Sequence, residues 1–236
     1  MNNKIFDLYL ESVCDERPFE PQKFIQFEYN YKKFFPKQTD SKILDIGVGR
    51  GEMLICMRDW GYSNYNGVDI SKSTIKHCQK HNLNCELTDN TVLWLQNHQG
   101  EFDLITMLDV LEHIKKEDTI IFLQALRTSL KKNGKLIIQL PNMQSPDSQL
   151  HHFNDFTHEV GFVEHSLKQV LLLAGFTNLH FFGFEEFSRN NFKEIIKKIL
   201  RFFYWKIVRF TRAISGNGNP SILNPVFCVI AFKENE

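Results

Sequence analysis

Short β-rich runs alternate with helical stretches along most of this 236-residue chain. That alternation constrains the fold more than any other feature, because strands separated by helices pair in parallel, with the crossovers covering the sheet. The runs are 42–46, 65–69, 84–87, 102–108, 135–140, 177–184 and 226–232, which predicts seven strands. Helices are predicted over 51–60, 71–81, 91–98, 117–130 and 165–174. Ser71 caps the second of them, Gly61 and Gly175 end others, and Asn133-Gly134 turns into the fifth strand. The segment before the first strand reads as mostly helical, broken by Pro18 and Pro21.

Composition removes several function classes. The 28 basic and 28 acidic residues cancel, so no global basic field recruits nucleic acid. With 42% hydrophobic residues, the chain is not a disordered tail. The 22 phenylalanines imply either bulky cores or an apolar surface. Five cysteines, odd in number and without a CxxC pair, read as thiols in a reducing compartment. The N-terminal residues lack an apolar signal stretch, and no uncharged run is long enough to span a bilayer, so a cytoplasmic protein is expected.

The first predicted strand runs into Asp45-Ile-Gly47-Val-Gly49-Arg-Gly51-Glu52 and then directly into a helix. Glycines there let the backbone turn sharply and let a ligand approach main-chain N–H groups. A dinucleotide fingerprint requires glycine where Glu52 stands, and a pyrophosphate would meet a like charge, which disfavours a nicotinamide oxidoreductase. Asp45 suits a ligand carrying a cationic amine or sulfonium. Asp69, at the end of the second strand, is positioned for ribose hydroxyls in either cofactor class. Asp89, with Asn90, follows the third strand, where a carboxylate accepts from an adenine amino group. The fourth strand ends in Leu108-Asp109-Val-Leu-Glu-His113, at the edge where open α/β sheets bind ligands.

These motifs, in this order, resemble the class I S-adenosylmethionine-dependent methyltransferases over about residues 40–184, with 226–232 similar to the family's last, antiparallel strand. The resemblance implies an α/β, doubly wound, seven-stranded Rossmann-like sheet. It also implies S-adenosylmethionine as cofactor and S-adenosylhomocysteine as product. Asp45, Gly47, Gly49 and Gly51 would hold the amino acid portion, and Asp69 with Ile70 the ribose and adenine. Asp89 and Asn90 would contact the adenine, while Leu108 and His113 would lie near the methionine moiety.

Transfer to a hydroxyl needs a general base. Four of the nine histidines, His151, His152, His158 and His165, fall in one segment after the fifth strand, which also carries Asp155, Glu159 and Glu164. Its wording, Asp-Phe-Thr-His-Glu-Val-Gly-Phe, resembles methyltransferases of bacterial surface polysaccharide synthesis. The resemblance implies a sugar hydroxyl on a glycan or its lipid-linked precursor as acceptor, with a quinone or other small molecule as the alternative. A non-catalytic, membrane-associated nucleoside-binding module is the reading from another class. His158 is the expected base, oriented by Glu159 or Asp155. A metal held by His151, Asp155, His158 and Glu159 is disfavoured, since no rigid ligand spacing supports it.

Between the sixth and seventh strands, residues 191–214 carry Lys193, Lys197, Lys198, Arg201, Lys206, Arg209 and Arg212 against the single acid Glu194, a local charge of +6. Ile195, Ile199, Phe202, Phe203 and Phe210 give a broad apolar side without a narrow stripe. Such a segment packs on the domain, forms a subunit contact or lies on an anionic membrane surface; nucleic acid is not favoured and the oligomeric state is open. The expected organisation is one domain: a helical cover over 1–40, a core of 41–190 and 220–236, and the basic insertion 191–219.

Overall fold

The computed structural model describes residues 18–146, 148–187 and 192–234. Of the five cysteines, Cys14 therefore lies outside the described residues, whereas Cys56, Cys78, Cys85 and Cys228 are free thiols. In chain order the elements are α1 (Pro21–Tyr31), β1 (Ile43–Ile46), α2 (Glu52–Asp59), β2 (Tyr65–Asp69), α3 (Lys72–Lys80), β3 (Cys85–Leu87), α4 (Thr91–Gln96) and β4 (Phe102–Leu108). There follow α5 (Thr119–Ser129), β5 (Leu130–Pro141), α6 (Ser148–Phe153), α7 (Glu164–Leu173), β6 (Asn178–Gly183), α8 (Phe192–Ile214) and β7 (Val226–Phe232).

The seven strands lie in the order β3-β2-β1-β4-β5-β7-β6, with β7 antiparallel to both of its neighbours. The order reverses at β1, so β1 and β4 diverge toward different crossover helices and leave a crevice at their carboxyl ends. Residues alternate between the two faces along each strand. Leu44, Ile46, Ile105 and Met107 join one core cluster with Leu123 and Leu126 of α5 and Leu167 and Leu171 of α7. Ile43 and Leu104 join the other with Phe27 and Tyr31 of α1, Met53 and Leu54 of α2, and Ile75 and Cys78 of α3.

The predicted strands all form, with boundaries within a residue or two except at β5. That strand extends back to Leu130, through the Asn133-Gly134 turn, and its register with β4 shifts between Phe102 and Leu104. The short helix α6, in the histidine segment, carries no apolar period and was not anticipated from the sequence. Many phenylalanines serve to seat α1: Phe19, Phe24, Phe34, Phe35, Phe182 and Phe184 pack in or against the second core cluster. Tyr31 is fully buried.

Gly67, in the middle of β2, has no room for a side chain. A Cβ there would strike Val48 of the glycine loop and come within 2.9 Å of Leu54 Cδ1 on α2. The loop after β1 thus rests directly on the backbone of β2. Gly67→Ala is expected to destabilise the fold by about 1–3 kcal/mol through overpacking, read as a lower urea midpoint at unchanged slope.

Candidate functional site

The loop between β1 and α2 turns through three left-handed glycines, Gly47 (φ 71°), Gly49 (φ 51°) and Gly51 (φ 85°). They do different work. A Cβ on Gly49 would meet nothing within 4 Å, so this residue faces open space over the sheet edge. Gly51 is a packing residue: a Cβ there would collide with Leu83 and approach Cys78 Sγ at 3.1 Å. Gly47 and Gly49 line a cavity of about 730 Å³ at the carboxyl ends of β1, β2 and β4, and Gly51 does not. The expectation that Gly51 touches a ligand is corrected accordingly.

Asp45, Asp69 and Asp109 line this cavity from the ends of three neighbouring strands. Asp45 is buried and accepts a hydrogen bond from Thr106 Oγ1 on β4 at 2.6 Å. Burial pushes its carboxyl up to about 8, the Thr106 bond opposing. Asp69 accepts from Ser71 N at 2.8 Å and from Gly49 N at 3.5 Å; burial raises it to about 6 against those bonds. Asp109 holds a left-handed conformation (φ 55°), which turns the chain sharply as it leaves β4. Its carboxylate accepts from Gln139 Nε2 at 2.6 Å, and burial lifts it to about 6. Gln139 Oε1 in turn accepts a hydrogen bond from the hydroxyl of Tyr31, tying α1 to the cavity floor.

Helix α1 also supplies part of the wall, through Lys23 and Phe27. Lys23 pairs with Glu52 at 3.2 Å, and Arg50 lies over the Phe19 ring with its guanidinium carbon 5.0 Å from the centroid. These cations are thus engaged beside the carboxylates, and Lys115 lines the cavity with them.

Ile70, Asn90, Leu108 and His113 line the cavity as the sequence suggested. Asp89 does not: it is exposed and outside the wall, because the chain turns at Asn90 to start α4. Asn90 Oδ1 accepts from Leu93 N at 3.0 Å as the cap of that helix.

The expected base lies behind another histidine. The His158 ring is 4.8 Å from that of His113, and its Nδ1 sits 3.1 Å from the His152 carbonyl rather than against an acid. Glu159 has an exposed side chain, while its backbone N–H donates to Glu112 O at 2.8 Å; orientation of His158 by Glu159 is corrected on that ground. Asp155 acts elsewhere. Its Oδ1 accepts from Thr157 Oγ1 at 2.7 Å, and that hydroxyl is 2.9 Å from His113 Nδ1. Since the threonine proton goes to the carboxylate, Nδ1–H of His113 is the donor to Thr157, and Nε2 is the basic nitrogen. Burial lowers the pKa of His113, helped by the neighbouring His158 and opposed by Asp155.

Glu112, buried between these elements, has its carboxyl raised well above the usual range by desolvation. Glu112, His113 and His158 place three ligand atoms within 4.8 Å, the one grouping of three candidate metal ligands among the described residues. It shares only His158 with the set the sequence suggested. The sequence reasoning gave His113 only a cofactor contact and passed over Thr157; the Thr-His pairing across 44 residues leaves no local signal.

Residues 22–181 match a family model described as "Methyltransferase domain". Among curated relatives, the chain is 28% identical over 136 residues to a "Ubiquinone biosynthesis O-methyltransferase" of Bartonella tribocorum, covering 56% of this chain and 49% of that protein. A protein of the same description from Glaesserella parasuis is 32% identical over 110 residues, covering 43% and 45%. The chain spans about half the length of these relatives. Among solved structures, a SAM-dependent methyltransferase from Archaeoglobus fulgidus superposes with a TM-score of 0.69 at 21% identity, covering 99% of this chain and 100% of that one. A Haemonchus contortus phosphoethanolamine N-methyltransferase 2 crystallised with S-adenosyl-L-methionine gives 0.55 at 16%, covering 98% and 60%.

The raised Asp45 carboxyl has a consequence for the ligand-free protein. Because the folded state holds this proton more tightly than the unfolded chain, the stability it adds is full at low pH and lost as pH rises toward about 8. Thermal unfolding of the ligand-free protein between pH 6 and 8 is expected to show this falling contribution. Asp45→Asn, which mimics the neutral carboxyl, should flatten that part of the slope and raise Tm at pH 8.

Proposed function

Because this chain belongs to the methyltransferase domain family and is an S-adenosylmethionine-dependent enzyme, we propose that it O-methylates a sugar hydroxyl of a bacterial surface glycan or its lipid-linked precursor. The observation that carries the hydroxyl acceptor is the base at the cavity wall: His113, held through Thr157 by Asp155.

The cavity fits the cofactor. Its volume of about 730 Å³ falls in the range of small-molecule sites, roughly 300–1,000 Å³, and Gly49 leaves open the space a Cβ would fill. Three carboxylates in its wall favour a ligand with a sulfonium and an ammonium group. Asp45, Gly47 and Gly49 would hold the amino acid portion, Asp69 and Ile70 the ribose side, Asn90 the adenine, and Leu108 with His113 the neighbourhood of the sulfur. When bound, S-adenosylmethionine supplies an electrophilic methyl group.

The chain's own residues then align a hydroxyl and remove its proton. His113 is held neutral by burial and by His158, so it is ready to accept a proton at Nε2. The imidazolium that forms is stabilised by Asp155 and by the backbone carbonyls of Thr157 and Asp109. His158 tunes this base from behind. Phe153 and Phe156, both strongly exposed on the segment that carries Asp155, offer flat apolar faces for an acceptor ring.

A second reading, methylation of a quinone precursor, is favoured by the descriptions of the curated relatives. Incubation with S-adenosylmethionine and two acceptor panels, lipid-linked sugars and polyprenylated phenols, separates the two by mass spectrometry. A gain of one methyl group on a sugar is expected; methylation confined to the phenols would replace the sugar reading with the quinone one.

His113→Ala is expected to lower kcat by about 10²–10⁴ while sparing S-adenosylhomocysteine binding in calorimetry. His158→Ala should keep more of the turnover and move the acidic limb of the kcat profile to higher pH, since the charge that depresses His113 is gone. Affinity for S-adenosylmethionine should rise from pH 5.5 to 7.5 as Asp69, Asp109 and Asp45 lose protons.

A further inference from the structure

Helix α8 is built the wrong way round for a helix that packs on its own domain. A surface helix ordinarily turns its apolar stripe to the core. Here Phe192, Ile196, Ile199, Phe203, Ile207, Phe210 and Ile214 recur at spacings of three and four and so share one face, and every one of them is exposed, from 41% at Ile196 to 76% at Phe192. The half-buried side, toward the body, is mixed, with Arg201, Arg209 and Arg212 beside Trp205 and Val208. Arg201 pairs with Glu186 at 2.9 Å, Arg209 donates to the carbonyls of Pro220 and Ser221, and Arg212 donates to those of Gly218 and Gln144. Polar bonds hold the helix to the domain, and its hydrophobic side is presented outward.

Two occupants suit an outward apolar face: a second copy of the helix or a lipid surface. Charge decides between them. Residues 191–214 carry a net charge of +6, and Lys197, Lys198 and Lys206 are exposed beside the stripe. Pairing two such helices would bring like charges together, whereas anionic headgroups complement them while acyl chains take the stripe. Lysine stems can bury along the apolar boundary and extend their ammonium groups to phosphate. No helix among the described residues is long and apolar enough to cross a membrane, so the geometry is that of a helix lying in the interface. At 1.5 Å per residue its 23 residues give a contact about 34 Å long.

We propose that α8 docks this enzyme on an anionic bilayer surface, apolar stripe inward to the lipid. The inference rests on the helix alone and holds for either acceptor. The position of α8 suits such docking: Arg212 ties it to Gln144, just past the carboxyl end of β5, and the segment leading into it packs on α1. There Tyr29 stacks on Phe187 with ring centroids 4.4 Å apart. These ties hold α8 near the carboxyl end of β5.

Flotation of the full chain with vesicles tests this, using phosphatidylcholine alone and phosphatidylcholine with 30–40% phosphatidylglycerol, roughly the fraction needed for a strong surface potential. Co-flotation with the anionic vesicles only, weakened by added salt, is expected. The triple variant Phe203→Glu, Ile207→Glu and Phe210→Glu should abolish it. Replacing Lys197, Lys198 and Lys206 by Gln should weaken partitioning on the order of a hundredfold, at about 1 kcal/mol per lysine. All six positions are exposed, and S-adenosylhomocysteine binding by each variant should equal that of the parent, which separates loss of docking from loss of fold. Absence of co-flotation overturns the proposal. So does a concentration-dependent dimer in sedimentation that the same glutamates dissolve, since that makes a second copy the occupant.

Discussion

The gathering of three carboxylates at the ends of β1, β2 and β4, Asp45 buried and Asp69 half-buried, is the constraint around which the fold is arranged. Charge in such a place is unfavourable, and the fold compensates with short hydrogen bonds from Thr106, Ser71 and Gln139, not with paired cations alone. Each donor comes from a strand or loop that must be in register for the bond to form. Thr106 reaches Asp45 because β1 and β4 pair residue for residue at that level. The remaining cost is one that a bound cation would relieve, so the carboxylates that weaken the fold are also those that would strengthen binding.

The glycine loop shows how packing serves the same end. Gly51 gives way to Leu83, Gly67 gives way to Val48 and Leu54, and Gly49 alone leaves space for something from outside the chain. Three glycines in one motif have separate employments, and only the atoms each would touch distinguish them. Gly47 stands between the two roles, lining the cavity while Val110 occupies the place its side chain would take.

The sheet was legible in the sequence because it rests on local signals: β-rich runs, helical periods and punctuation by glycine. That Asp45, Asp69, Gly47 and Gly49 stand together in the cavity wall was legible because they follow strand ends. What escaped depends on tertiary distance. Asp89 and Asn90 are adjacent in the chain and both exposed, yet only Asn90 lines the cavity, where it caps α4. His113 and Thr157 meet across a long loop, so the polar chain through Asp155 leaves no mark in spacing. The apolar stripe of α8 was blurred by counting Ile195 and Phe202 within it, and its outward orientation could come only from the arginine contacts that hold the other side.

The chain Tyr31–Gln139–Asp109 has a direction. With Asp109 ionised, the glutamine amide donates to the carboxylate and its oxygen receives the tyrosine proton. A protonated Asp109 becomes a donor itself, which favours rotating the amide by half a turn and leaves the phenol facing an N–H group. Its proton then has Cys228 Sγ, 3.5 Å away, as the alternative acceptor. Helix α1 is thereby linked to the protonation of Asp109 through one glutamine amide, so the polarity it meets at Tyr31 depends on that carboxyl.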